Sequence, residues 1–197
     1  MIRSLQLATI LLLAATTAIQ AAPATDKAAP LAHSQSSIML NYFVDFCVGA
    51  YPNTDSWRAA VKSAGFKPGN AADSAVLLDK APGEVWILVA GDITYYAGIN
   101  SPPDQICTLA SNFDQPDSSI ETVFTTVVSG VLGSIGKGDL APAQMTSRAA
   151  PNGGTVKLWV SPLNSPDFLP QVFVNALLTQ PGHAIQTRFM RAFTHPK

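Results

Sequence analysis

Residues 85–99 read Val-Trp-Ile-Leu-Val-Ala-Gly-Asp-Ile-Thr-Tyr-Tyr-Ala-Gly-Ile. Residues 85–89 form an unbroken apolar run of strand length, and residues 93–99 are rich in β-branched and aromatic side chains. The Gly91-Asp92 pair between them supplies the positive dihedrals of a tight turn, so the stretch predicts a β-hairpin. Pro102 and Pro103 break the next connection, and residues 105–112 (QICTLASN) make a third strand.

Helical periods precede this sheet. Along residues 38–51 (IMLNYFVDFCVGAY) the polar positions Asn41, Asp45 and Gly49 recur every four residues, which predicts a largely buried helix with one narrow polar stripe. Pro52 ends it. Asn53, Thr54 and Asp55 offer N-cap chemistry for a second helix over 56–64, with Trp57, Ala60, Val61 and Ala64 on one face and Gly65 as its stop. Residues 68–70 then read as loop.

After the third strand, residues 114–119 (DQPDSS) mark a helix start, with Ser118 and Glu121 forming a capping box. Ile120, Val123, Phe124, Val127, Val131, Leu132 and Ile135 follow the helical rhythm. Residues 137–154 read as a long loop. Residues 155–161 alternate, with Val156, Leu158 and Val160 expected to face the long helix and Lys157 and Trp159 the other side. Residues 171–179 are a further strand, and the Gln180-Pro181-Gly182-His183 turn favours a closing hairpin with residues 184–195. The expectation is an α+β domain over 38–197: a mainly antiparallel sheet of five or six strands, two N-terminal helices and one long amphipathic helix.

The N-terminus addresses the chain. Residues 1–21, with Arg3, an apolar run and small residues at the end, have the pattern of a secretory signal peptide cut after Ala21. The apolar run is interrupted by Gln6, Thr9, Thr16 and Thr17, which argues against a membrane anchor. Residues 22–37 read as a flexible linker, with His33 solvated in it. The expected location is periplasmic or secreted, with no membrane span after cleavage.

In that oxidising setting Cys47 and Cys107 are read as one disulfide tying helix to sheet. The competing readings are a catalytic thiol, which lacks a histidine in its segment, and zinc ligands, which lack a recognisable cluster. Residues 43–66, with Phe43, Cys47, Pro52 and Ala64-Gly65-Phe66, followed by Trp86 and Cys107, resemble a group of small exported Gram-negative bacterial proteins of unknown function. The resemblance implies an exported α+β domain with a helix-to-sheet cysteine pair, and brings no activity with it.

Only 13% of the residues are charged, with 12 basic against 13 acidic, where soluble domains average roughly 25%. Nucleic-acid binding needs clustered Lys and Arg and is not expected. Catalytic signals are thin. Residues 130–138 (GVLGSIGKG) miss the Walker spacing and read as a helix end. Asp114 and Asp117 read as caps, and Arg188 and Arg191, three apart in a strand, fall on opposite faces and do not make an anion site. No catalytic residue, cofactor or metal site is expected. The sequence therefore points to non-enzymatic binding of a protein partner or a small apolar ligand, with Trp86, Tyr96 and Trp159 as candidate contacts on one sheet face. The alternative is a periplasmic hydrolase whose site assembles only in the fold, with His183 or His195 as base or with carboxylates alone.

Overall fold

A computed structural model of the chain describes residues 35–102, 105–113, 120–150, 153–165, 171–182 and 185–193. The expected signal segment, most of the linker, Asp114, Asp117, Ser118 and the three histidines lie outside them. The fold is α+β, with four helices and a nine-stranded antiparallel sheet.

Helix α1 (Gln35–Phe43) runs into a π-helical segment, Val44–Ala50, and α2 (Thr54–Ser63) follows. Asn41, Asp45 and Gly49 are exposed, while Met39, Leu40, Phe43, Phe46, Cys47 and Val48 are buried, as the stripe requires. α1 begins at Gln35, inside the expected linker. The Asn53 side chain accepts from the Ser56 N–H at 2.8 Å and caps α2, which buries Trp57 and Val61.

Two further elements, β1 (Lys67–Pro68) and α3 (Ala71–Leu77), flank the expected loop, β1 taking in its Pro68 and α3 following it in a stretch to which the sequence assigns no element. α3 is held at its start by a reciprocal box in which the Asn70 side chain accepts from the Ala72 and Asp73 N–H groups and Asp73 accepts from the Asn70 N–H. Strands β2 (Gly83–Ala90), β3 (Ile93–Asn100) and β4 (Ile106–Phe113) form a meander turned at Gly91 and Asp92.

α4 (Ile120–Ser134) buries Ile120, Phe124, Val128 and Leu132. Val128 replaces the expected Ile135, which is exposed beyond the helix end. The expected long loop contains β5 (Asp139–Leu140) and β6 (Gln144–Ala149), both paired with β7 (Thr155–Asn164). β8 (Gln171–Thr179) and β9 (Ile185–Phe193) complete a second meander.

The meanders join at their last strands, β4 against β9, giving the order β1-β2-β3-β4-β9-β8-β7-β5, with β6 also on β7. Nine strands replace the expected five or six because β1 and β5 are two residues long and β6, exposed throughout, carries no apolar alternation.

α1, the π-helical segment, α2 and α4 pack on one face of the sheet, hereafter the helix face. Phe43 lies there against Phe124 (5.4 Å between ring centroids), Phe189 (5.7 Å) and Phe173 (6.3 Å). The Cys47–Cys107 disulfide fastens the π-helical segment to β4 with its Cα atoms 5.5 Å apart. In the chain-entropy model, closing a loop of that span stabilises by about 4 kcal/mol.

Buried Arg191 makes a second tie. Its guanidinium donates to the Cys47 carbonyl at 2.7 Å, the Val48 carbonyl at 3.4 Å and Gln171 Oε1 at 2.8 Å. It also lies 5.0 Å from the Tyr51 ring centroid and 5.4 Å from that of Phe173. Burial lowers its pKa to about 10, so it stays charged at neutral pH. A cation is well placed there, at carbonyls in the last turn of a helical segment.

Candidate functional site

The opposite face of the sheet is covered unevenly. Of the described helices, α3 packs there, and its partners are β2 and β3. Leu77 and Leu78 pack with Val85 and Ala110, with Ile87 and Tyr96 at the margin. Gly98 permits this approach, since a Cβ on it would lie 2.7 Å from a Leu77 methyl and 2.9 Å from a Leu78 methyl. Beyond α3 the face opens across β9, β8 and β7.

Strand register builds this open face in rows, because residues paired across an antiparallel ladder share a side. One row runs Tyr96, Ala110, Arg188, Ala176, Leu158, Thr146 from β3 to β6. A neighbouring row runs Asn112, Gln186, Leu178, Val156, Arg148, and on the other side lie Thr108, Met190, Val174, Val160 and Gln144. The central row carries Ala110 and Ala176 on either side of Arg188, and the longer Leu158, Leu178 and Met190 stand around Ala176. Small side chains ringed by larger ones leave a depression. A hollow of about 260 Å³ is lined there by Val156, Leu158, Ala176, Leu178 and Met190, with Arg148, Gln186 and Arg188. A second, of about 130 Å³, lies towards α3 between Asp73, Val76, Leu77, Tyr96, Ala110 and Asn112. Gln186 and Arg188 line both.

Arg188 is the cation shared by both hollows. Burial pushes its guanidinium below the ordinary arginine value, and Asp79 counters in part. Its recorded contact is a long one, 3.5 Å to the Val76 carbonyl of α3. The ion pairs among the described residues belong to Arg58, with Asp55 and Glu84, and none of the described residues' carboxylates comes within ion-pair distance of Arg188. Among the described residues this half-buried guanidinium holds a single marginal hydrogen bond and has donors to spare.

The residues expected on one binding face are separated. Trp86 and Trp159 both lie on the helix side of the sheet, but β3, β4, β9 and β8 stand between their strands. Trp86 packs at the margin of the main core. Tyr96 points to the opposite face and borders the smaller hollow. The sides of β7 are also exchanged relative to expectation. Trp159 pairs with Asn175, on the side where Phe173 meets Phe43, so Val156, Leu158 and Val160 face away from the helices.

Arg188 and Arg191 do fall on opposite faces, as their spacing predicts. What the spacing could not give is the setting of Arg188 between two alanines from strands remote in sequence. On the helix side, the buried Asn175 amide and Thr187 hydroxyl find no hydrogen-bond partner among the described residues. No cluster of three His, Cys, Asp or Glu side chains suited to a metal occurs among the described residues. Residues 130–138 hold the end of α4 and a turn with positive φ at Gly136 and Gly138. No helix of the described residues is long and apolar enough to cross a membrane. Comparison with protein-family models, curated proteins and solved structures finds no match.

Proposed function

We propose that this is an exported binding protein that takes a small apolar ligand, without chemistry, on the open face of β7, β8 and β9. The observation that carries this reading is the asymmetry of the sheet. Four helical segments bury one face, while on the other Val156, Leu158, Leu178 and Met190 remain only half-buried around a hollow. Contiguous apolar surface left open on a folded domain marks a contact site, and small-ligand sites are mostly apolar depressions with a few polar groups. The disulfide and the pattern of residues 1–21 support an oxidising destination, periplasmic or extracellular.

Nile red, a neutral dye that brightens in apolar surroundings, tests the reading. Its fluorescence should rise with the protein and lose most of that rise in Leu158→Asp, whereas Met145→Asp, on the other side of the edge strand β6, should leave it unchanged. Equal fluorescence in all three proteins would refute binding at this face.

A further inference from the structure

We infer that the ligand is a single-chain amphiphile with a carboxylate head, which Arg188 holds while the hollow over Ala176 takes the chain. This rests on the reading of the open face as a ligand site and goes on to name the ligand's chemistry. The hollow presents an apolar floor of Val156, Leu158, Ala176, Leu178 and Met190, which suits hydrocarbon. At its border with the smaller hollow stand the Arg188 guanidinium and the Gln186 amide, both donors. A guanidinium presents parallel N–H groups matched to the two oxygens of a carboxylate, and such charge-assisted pairs are the stronger hydrogen bonds.

The charge count argues for one negative charge. Arg148, the other cation of the hollow, is on β6, three strand spacings of ~4.8 Å from β9, and stands across the hollow from the border where Arg188 and Gln186 lie. Asp73, the acidic group of the smaller hollow, is engaged by the Asn70 N–H at 2.8 Å in the cap of α3. The same charges disfavour a second copy of this chain as occupant. Face-to-face pairing would bring Arg148 and Arg188 of one copy towards those of the other, over a floor with no carboxylate among its described lining residues. An anionic head supplies the charge that the floor lacks.

The experiment measures binding of dodecanoate and of dodecanol, each below its aggregation concentration, to the full chain by calorimetry at pH 8, with sedimentation in parallel. Dodecanoate should bind about tenfold or more tightly than dodecanol, the worth of one charge-assisted contact. In Arg188→Met, which keeps an apolar stem of similar length, the two affinities should become equal. Ala176→Leu, which fills the hollow, should weaken both. Equal affinities in the unaltered protein would overturn the carboxylate assignment while leaving the apolar site in place, and would do so even if Arg188→Met failed to fold. Preference for dodecanoate that survives in a folded Arg188→Met would overturn the role of Arg188. Binding of neither ligand would remove the ligand reading itself, and a dimer that dissociates in Ala176→Leu would replace it with self-association.

Discussion

Replacing Arg191 by methionine should destabilise the fold by about 3 kcal/mol. The guanidinium is 2% exposed and serves neutral acceptors, the carbonyls of Cys47 and Val48 and Oε1 of Gln171. Methionine keeps a similar length of chain and limits the cavity, so the loss is concentrated in hydrogen bonding. Two short bonds disappear and their acceptors stay buried, at about 1–3 kcal/mol for each unsatisfied group. The contacts with Tyr51 and Phe173 add up to about 2 kcal/mol when desolvated, of which a thioether against the same rings recovers part. Relief from burying the charge works in the opposite direction. The acceptors do not leave with the arginine, and so the balance falls on destabilisation. Arg191→Ala should cost more, because it adds a cavity between β9 and the π-helical segment. Urea unfolding at pH 7 of the oxidised proteins reads both. A methionine variant within about 0.5 kcal/mol of the parent would refute the view that Arg191 ties helix to sheet.

Replacing both Cys47 and Cys107 by serine should lower stability by about 4 kcal/mol, and an unchanged urea midpoint would contradict a bridge that closes the loop between them. Gly98→Ala should cost about 1–2 kcal/mol and speed amide exchange in α3, because its Cβ meets leucine methyls that can turn aside. Gly83→Ala should cost more, its Cβ running into the Ile99 carbonyl oxygen, and the reverse ranking would argue against the packing of α3 on β2 and β3. Thr187→Val should leave stability unchanged or raise it by about 1 kcal/mol, since its buried hydroxyl has no partner among the described residues, and a clear loss in thermal unfolding would show that the hydroxyl is bonded. Glu84 accepts hydrogen bonds from Arg58, which hold its carboxyl below the usual range, so its share of stability is present at neutral pH and is lost as the pH falls below the ordinary carboxylate range and through the lowered one. Both side chains are partly exposed, so Glu84→Gln should differ from the parent by less than about 1 kcal/mol at pH 7, with the difference shrinking as the pH falls below the ordinary carboxylate range; a constant difference would count against the pairing.

The elements with strong periods were legible in the sequence. Residues 171–179 read as a strand and are one, and the Gly91-Asp92 hairpin, the Asn53 cap and the buried setting of Cys47 follow from local chemistry. α3 was not legible because seven residues give too short a window for a helical period, although Asn70 and Asp73 carry the reciprocal cap that starts it. β6 (QMTSRA) has no apolar alternation and exists by pairing with β7.

The sequence of β7 separates Val156, Leu158 and Val160 from Lys157 and Trp159, but alternation cannot say which side a helix covers. Apolar character alone places these residues in the core, whereas the ladder continues them as Val174, Ala176 and Leu178 across the open face. The candidate site was hidden for the same reason. Ala110, Ala176 and Arg188 become neighbours only when β4, β9 and β8 are set side by side, and an arginine between two alanines has no signature along the chain.

Methyl-labelled methionine tests the open face most directly. Met190 lines the hollow, whereas Met39 is buried in α1 on the helix side and Met145 lies on the far side of β6. Titration with dodecanoate, followed by NMR, should shift the Met190 methyl resonance saturably and leave those of Met39 and Met145 in place. A Met190 resonance that stays fixed, or a shift at Met39 in its stead, would contradict ligand binding on the open face of β7, β8 and β9.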